Sequence, residues 1–293
     1  MARSVPDVQA RPAENTFKLT RVGVTGVAKP VNVRRPQRSA TLTATFDVFV
    51  DLPAHQRGSH LSRNLEAIGE LVDDSVRDPV PSLEDLAAAI ARSLLDRHAY
   101  ATRSHVRIAA DYFLEKRTPM GRESLERYGL IAEADGERSG TPEVRKRIGV
   151  RVIGMTACPC AMETIREEEG EGASGTLPTI THNQRNVTTL LLEEPEGHDV
   201  EADDLVAIVE SSMSAPTFEI LKRPDEGRLV RLAHENPRFV EDVVREVLAR
   251  LVKTYARLPD DVRVVVRSES EESIHKHNAL AERVTTLGEL RAP

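Results

Sequence analysis

The chain has 293 residues, and its 40% apolar and 30% charged content allows one large or two modest domains with a buried core. A net charge of −7 argues against a general nucleic-acid binder, and the absence of Trp with only 3% aromatic residues argues against base-stacking surfaces. No apolar run reaches the roughly 18 residues of a membrane span and residues 1–15 lack a secretory signal, so we expect a cytoplasmic protein that binds neither membranes nor nucleic acid.

The first half of the chain predicts two strands, two helices and two further strands. Strands are expected over residues 16–24 and 41–50, the second with alternate apolar residues on one face. Apolar stripes predict helices over residues 62–76 and 82–98, the second capped by Ser82. Alternation then predicts strands over residues 106–114 and 125–134.

The second half predicts the same order of elements. Residues 135–142 are rich in Gly, Ser, Glu and Pro and indicate a linker. Strands near residues 148–154 and 187–191 precede a helix over 205–213 and a longer helix that begins near Asn236 and Pro237. Strands over residues 262–267 and 279–287 complete the pattern. The chain is therefore predicted to be α+β, with ββααββ twice and helices on one face of antiparallel sheets.

The only two cysteines, Cys158 and Cys160, are separated by one proline. A disulfide that tight would be strained, and the spacing is too short for the C-x-x-C patterns of zinc and thioredoxin sites. One sulfur could ligate a metal while the other faces elsewhere; the alternative is a pair of buried or inert cysteines.

Histidines form three further candidate clusters in this half. His182 opens a polar run that follows a loop over residues 167–175, and the alternative is a solvated turn. If they lay on a strand, His275 and His277 would point to one side, where two imidazoles suit a first-row metal; the alternative is an exposed pair. His234 adds a fourth imidazole, unless it is a surface residue beside a helix.

Two basic features suit an anionic ligand. Lys222 and Arg223 form a basic pair just before a turn, where the alternative is a solvated charge run. Arg63 opens the first predicted helix, and a helix N-terminus beside an arginine suits an anion although neither feature is specific alone.

Motifs along nearly the whole chain give it a resemblance to one family. The chain resembles the GTP cyclohydrolase superfamily of type I-B and archaeal MptA enzymes. The matching stretches, in the family's order, are residues 6–9, 22–26, 46–53, 58–64, 158–160, 182–185, 222–226, 235–242 and 272–277.

The resemblance implies a fold, an assembly and a metal site. It implies two tunnelling-fold modules, residues 1–140 and 141–293, in a homo-oligomer (dimer or tetramer) with active sites between subunits. Cys158, His182 and His275 match the family's metal positions, which would hold one divalent ion per site. Fe(II) is expected ahead of Zn(II) or Mn(II), and Cys158 is also expected to be catalytic.

The expected reaction is metal-assisted hydrolysis of GTP that opens the guanine imidazole ring and releases formate. His277 and His234 would transfer protons. The triphosphate would be bound by Arg63, Arg185, Lys222 and Arg223.

Two features bear on the product. Residues 212–215 and 233–234 are similar to the archaeal branch, while Pro216 and Arg231 stand where the bacterial pattern has glutamates. This favours 7,8-dihydroneopterin 2′,3′-cyclic phosphate, an intermediate of pterin biosynthesis. The alternatives are a type I-B enzyme that makes dihydroneopterin triphosphate for folate, a non-catalytic purine- or pterin-binding protein, and a structural zinc module.

Overall fold

The structure is a computed structural model, and it describes residues 7–34, 39–169 and 177–292. Pro6 in the first matching stretch and residues 170–175 of the predicted loop lie outside the described residues. The fold is α+β and is built on antiparallel strands, as predicted. Two compact units are present: Met1–Asp111 with Ile131–Ile148, and Tyr112–Leu130 with Gly149–Pro293. The module boundary at residue 140 stays a prediction.

Unit 1 contains the predicted strand–strand–helix–helix–strand–strand order. Its strands lie in the order β1-β2-β3-β4-β5, and β3, β4 and β5 also contribute residues to unit 2. The bounds are β1 (Leu19–Arg34), β2 (Ser39–Leu52), α1 (Leu61–Arg77), α2 (Leu83–Arg97), β3 (Arg103–Arg117), β4 (Glu123–Ser139) and β5 (Thr141–Ala157).

The core of unit 1 follows the apolar patterns of the sequence. On β2 the alternate residues Ala44, Phe46, Val48 and Val50 are buried, because successive side chains of a strand point to opposite faces. The predicted cap of α2 is also confirmed, since Ser82 Oγ accepts a hydrogen bond of 3.1 Å from the Asp85 amide.

The predicted linker is wrong, because β4 and β5 meet there in a tight hairpin. Gly140 separates the strands with a φ of 107°, a conformation that glycine adopts without a steric penalty. Arg147 on β5 donates to Glu133 and Asp135 on β4, at 3.0 and 2.6 Å. Asp135, a charged residue of the predicted linker, therefore belongs to a cross-strand pair.

Unit 2 completes the second set of elements. Its strands lie in the order β3-β4-β5-β6-β8-β9, with the short β7 beside β5. The bounds are α3 (Pro159–Glu169), β6 (Asn183–Glu194), α4 (Ala202–Ser211), β7 (Ala215–Pro216), α5 (Arg223–Glu235), α6 (Val240–Thr254), β8 (Arg263–Glu271), β9 (Ala279–Thr286) and α7 (Leu287–Arg291).

Helix α6 begins later than its sequence indicated. Asn236 ends α5, and its side-chain amide donates to the carbonyl of Met213 at 3.0 Å. Helix α6 begins after Phe239, whose amide donates to the Asp242 carboxylate at 3.0 Å. Asp242, in the first turn, thus satisfies the backbone amide of the residue that precedes the helix. Within the described residues, no helix is long and apolar enough to cross a membrane.

Candidate active site

A cavity of about 230 Å³ in unit 2 brings four of the predicted site residues together. Cys158, His182, His275 and His277 all contribute to its wall. The complete lining is Cys158, His182, Gln184, Arg238, Phe239, Val240, Glu241, Ser270, Glu272, His275, His277 and Ala279.

Cys158 is held where β5 passes into α3. Its backbone amide donates to the His182 carbonyl at 3.0 Å, and its own carbonyl accepts from Thr181 Oγ1 at 2.7 Å. These two bonds join the backbone at the end of β5 to the backbone at the start of β6 and so hold Cys158 next to His182. Both cysteines are free, with Cys158 half-buried and Cys160 exposed, so the alternative of two buried cysteines is wrong.

His275 and His277 lie in the loop between β8 and β9, outside the two strands predicted on either side of them, and both are exposed, as the alternative of an exposed pair expected. Their rings nevertheless stack, with centroids 5.2 Å apart. The His275 ring lies edge-on to His182 at a centroid distance of 6.5 Å. The pairing of β6 with β8 brings this loop to His182, because Arg185 lies opposite Glu271.

Three further residues of the wall were not singled out from the sequence as site residues: Gln184, Glu241 and Glu272. Glu272 is almost enclosed, with a side chain 12% exposed, and its Oε2 is buried without a hydrogen-bond partner among the described residues. Glu241 reaches the cavity from the first turn of α6. All three lie inside stretches that match the family, and this match is the sequence feature that could have identified them as site residues.

The donor types in the cavity suit a divalent transition metal. Thiolate and imidazole are the usual ligands for such ions, and a cation would offset the cost of the unpaired Glu272 oxygen. Across the part of the chain that the structure describes, however, no group of three or more His, Cys, Asp or Glu side chains is arranged to hold an ion. The types of side chain in the wall suit a metal ion. Their present arrangement does not, so these side chains would have to move closer together to bind one.

His234 lies apart from the cavity wall, on α5. It is buried, which excludes the surface alternative, and its Nδ1 is 2.8 Å from the Val230 carbonyl. Its Nε2 is 3.1 Å from the carbonyl of Thr181. Both nitrogens therefore face backbone oxygens.

The predicted phosphate-binding cations have different surroundings, and none of them lies in the wall of the first cavity. Lys222 and Arg223 are exposed at the amino end of α5, which replaces the predicted turn. Arg185 lies in a second cavity of unit 2, of about 180 Å³, with Glu126 and Glu219. In unit 1, Arg63 donates to the Arg97 carbonyl at 2.9 Å.

Comparison with solved structures supports the predicted tunnelling fold. The chain is similar to a uricase from Arthrobacter globiformis, with a TM-score of 0.52 over 91% of this chain and 93% of that one. A hyper-thermostable uricase mutant gives a TM-score of 0.50 over 91% of each chain. The identities are 9% and 11%, so the likeness concerns the fold alone.

Comparison of sequences identifies the family. The chain is 44% identical to the GTP cyclohydrolase MptA of Methanobrevibacter smithii, over 99% of this chain and 98% of that protein. It is 45% identical to the enzyme of the same name from Methanothermobacter thermautotrophicus, over 98% and 95% of the two chains. The family model for type I GTP cyclohydrolase folE2 matches residues 5–281. These matches show that the chain belongs to the type I GTP cyclohydrolase family.

Proposed function

We propose that this protein is a cytoplasmic GTP cyclohydrolase of pterin biosynthesis, with 7,8-dihydroneopterin 2′,3′-cyclic phosphate as its product. One observation carries the proposal. A single cavity gathers Cys158, His182, His275 and His277, in a chain that matches MptA enzymes along nearly its whole length.

The proposed metal site consists of Cys158, His182 and His275 and holds one divalent ion, with Fe(II) ahead of Zn(II) or Mn(II). When bound, the ion would supply Lewis acidity and a water of lowered pKa for attack at C8 of the guanine. The buried carboxylate of Glu272 adds negative charge at this place, which favours a cation over a neutral ligand.

Two other side chains of the wall have roles in the proposed chemistry. Glu241 can accept hydrogen bonds from N1–H and the 2-amino group of guanine, since an ionised carboxylate offers two acceptor oxygens. His277 can transfer protons during ring opening, because its imidazole is part of the cavity wall. Its ring stacks on that of the proposed ligand His275, which places it next to the proposed metal site. His234 has both nitrogens directed at carbonyl oxygens, so the proposal assigns proton transfer to His277.

The triphosphate would be bound by Lys222, Arg223, Arg185 and Arg63. In a homo-oligomer with active sites between subunits, as the family resemblance implies, cations outside the cavity wall of one subunit can serve the site of another. The exposure of Lys222 and Arg223 is compatible with such a role.

The test is anaerobic incubation of the metal-loaded protein with GTP, followed by measurement of formate. We expect formate with at least one of Fe(II), Mn(II) and Zn(II), and none from Cys158→Ala. Cys160→Ala is the matched control and should retain activity, because the Cys160 side chain is exposed and lies outside the cavity wall. Absence of formate with every metal would favour a non-catalytic purine- or pterin-binding protein.

A further inference from the structure

Gln184 follows His182 by two residues in the chain, and its side chain is almost completely buried. Its side-chain Oε1 is 3.0 Å from His182 Nδ1. On the other side its Nε2 donates to Thr156 Oγ1 at 3.2 Å and to Glu272 Oε1 at 3.4 Å. One amide therefore connects the imidazole to a hydroxyl and a carboxylate.

The carboxylate of Glu272 determines which way this amide faces. An ionised carboxylate only accepts hydrogen bonds, so the NH₂ group of Gln184 must face it. Rotation of the amide by half a turn would oppose two acceptor oxygens in a buried setting, where an unpaired polar group is costly. Gln184 Oε1 consequently faces His182.

The sheet anchors the amide from below. Thr156 Oγ1, which accepts from Gln184, is 3.1 Å from Ser270 Oγ on β8. Asn186 Nδ2 continues the network with a bond of 3.1 Å to Ser270 Oγ. Thr156, Asn186 and Ser270 are buried, so this support is part of the core rather than a mobile surface contact.

The orientation of the amide determines which nitrogen of His182 carries the proton. Because Gln184 Oε1 is an acceptor, Nδ1 must donate to it, and the neutral ring then keeps its lone pair on Nε2. Ser273 Oγ is 3.4 Å from the same Nδ1 and can also accept from an Nδ1–H, whereas Glu272 Oε2, at 3.9 Å, is too far away for a hydrogen bond. Among the described residues, none is hydrogen-bonded to Nε2.

We infer that Gln184 is a positioning residue that holds His182 in its Nδ1–H tautomer and leaves Nε2 available to a metal ion. The inference rests on the proposed function, in which His182 is a metal ligand. Outer-shell partners of this kind fix the tautomer and ring orientation of metal-binding histidines.

The first test measures the tautomer in the metal-free, full-length protein. The ¹⁵N NMR signals of the His182 ring, identified by comparison with His182→Asn, are recorded where imidazoles are neutral, at about pH 8.5 or above. We expect a protonated Nδ1 and an unprotonated Nε2, although the neutral histidine side chain favours Nε2–H in water. An Nε2–H signal in the wild-type protein would overturn the inference.

The second test uses variants and Zn(II) as the probe. Gln184→Leu should shift the ring toward Nε2–H and weaken Zn(II) binding by about 10–100-fold in a chelator competition. Asn186→Leu is the matched control, because it cuts the same buried network on the same strand without touching His182, and it should change neither the tautomer nor the affinity.

The outcomes separate this inference from the proposed function. Unchanged tautomer and affinity in Gln184→Leu, or equal effects of Asn186→Leu, would reduce Gln184 to a structural residue. A wild-type protein that shows the expected tautomer but binds no Zn(II), Fe(II) or Mn(II) would reject the metal proposal instead. If Gln184→Leu does not fold, the tautomer of the wild-type ring still decides the question.

Discussion

His275 is held in a loop, and its ring contacts both His182 and His277. We predict that His275→Asn weakens divalent-metal binding by more than the roughly 10–100-fold typical of outer-shell changes, because a ligand itself is lost. Metal content after dialysis and formate release both measure this. His198→Asn is the control, since His198 lies in a turn outside the cavity wall. Full metal content and turnover in His275→Asn would contradict the assignment.

Lys222 tests the phosphate proposal. Lys222→Ala should raise KM for GTP far more than KM for guanosine, because only GTP presents a triphosphate to the lost charge. Steady-state formate assays with both substrates measure the difference. Arg228→Ala, on the same helix but paired with Glu235 at 3.6 Å, is the matched control and should leave both values unchanged. Equal effects on both KM values would indicate that Lys222 is a solvated surface charge that does not bind the triphosphate.

At the residue scale, the sequence identified the side chains whose types are rare. Cysteine and clustered histidine are uncommon enough that Cys158, His182, His275 and His277 could be proposed from the sequence alone. Glu241 and Glu272 could not, because Asp and Glu make up 47 residues of the chain and nothing local distinguishes these two. Their place in the cavity follows from the pairing of distant strands and from where α6 begins.

At the scale of elements, a buried histidine connects the two helices of unit 1. His98 ends α2, and its Nε2 lies 2.7 Å from Asn64 Oδ1 on α1. Its Nδ1 lies 2.8 Å from the Tyr100 hydroxyl, which is 2.8 Å from Ser59 Oγ. Burial, with the nearby charge of Arg63, lowers the pKa of His98 from 6.5 to about 4.

This lowered pKa makes the stability of the protein depend on pH. Between about pH 6.5 and pH 4 the unfolded chain binds a proton that folded His98 does not, so the free energy of unfolding falls as the pH falls through this range. The loss amounts to at most about 3 kcal/mol. Urea denaturation at several pH values should show a steeper decline for the wild-type protein than for His98→Gln. An equal decline of the free energy of unfolding in the two proteins would contradict the lowered pKa of His98.

The limits of prediction at this scale have physical causes. Residues 135–142 have the composition of a linker, but cross-strand pairs between β4 and β5 stabilise a hairpin there. The H-x-H spacing would place two imidazoles on one side of a strand, whereas the two rings stack in a loop. Each outcome depends on residues distant in sequence, while the apolar stripe of β2 could be predicted because it is local.

At the scale of the whole molecule, the order of elements was the most predictable property. Strand–strand–helix–helix–strand–strand emerged from apolar periodicity in both halves, and the structure adds α3, α5, the two-residue β7 and α7 to it. The reaction was not predictable in the same way, since a fold hosts many chemistries. The reaction has to be inferred from the residues of the cavity and from the family to which the chain belongs.

The product can be decided by one measurement that also tests the enzyme proposal. Formation of a cyclic phosphate requires attack of a ribose hydroxyl oxygen on the α-phosphorus, which breaks the bond to the β-phosphate and releases pyrophosphate. Formate and pyrophosphate should therefore be counted together, under anaerobic conditions, in the Fe(II)-loaded protein supplied with GTP. We predict one equivalent of pyrophosphate for each formate, whereas formate without pyrophosphate, with an intact triphosphate on the pterin, would contradict the proposed product.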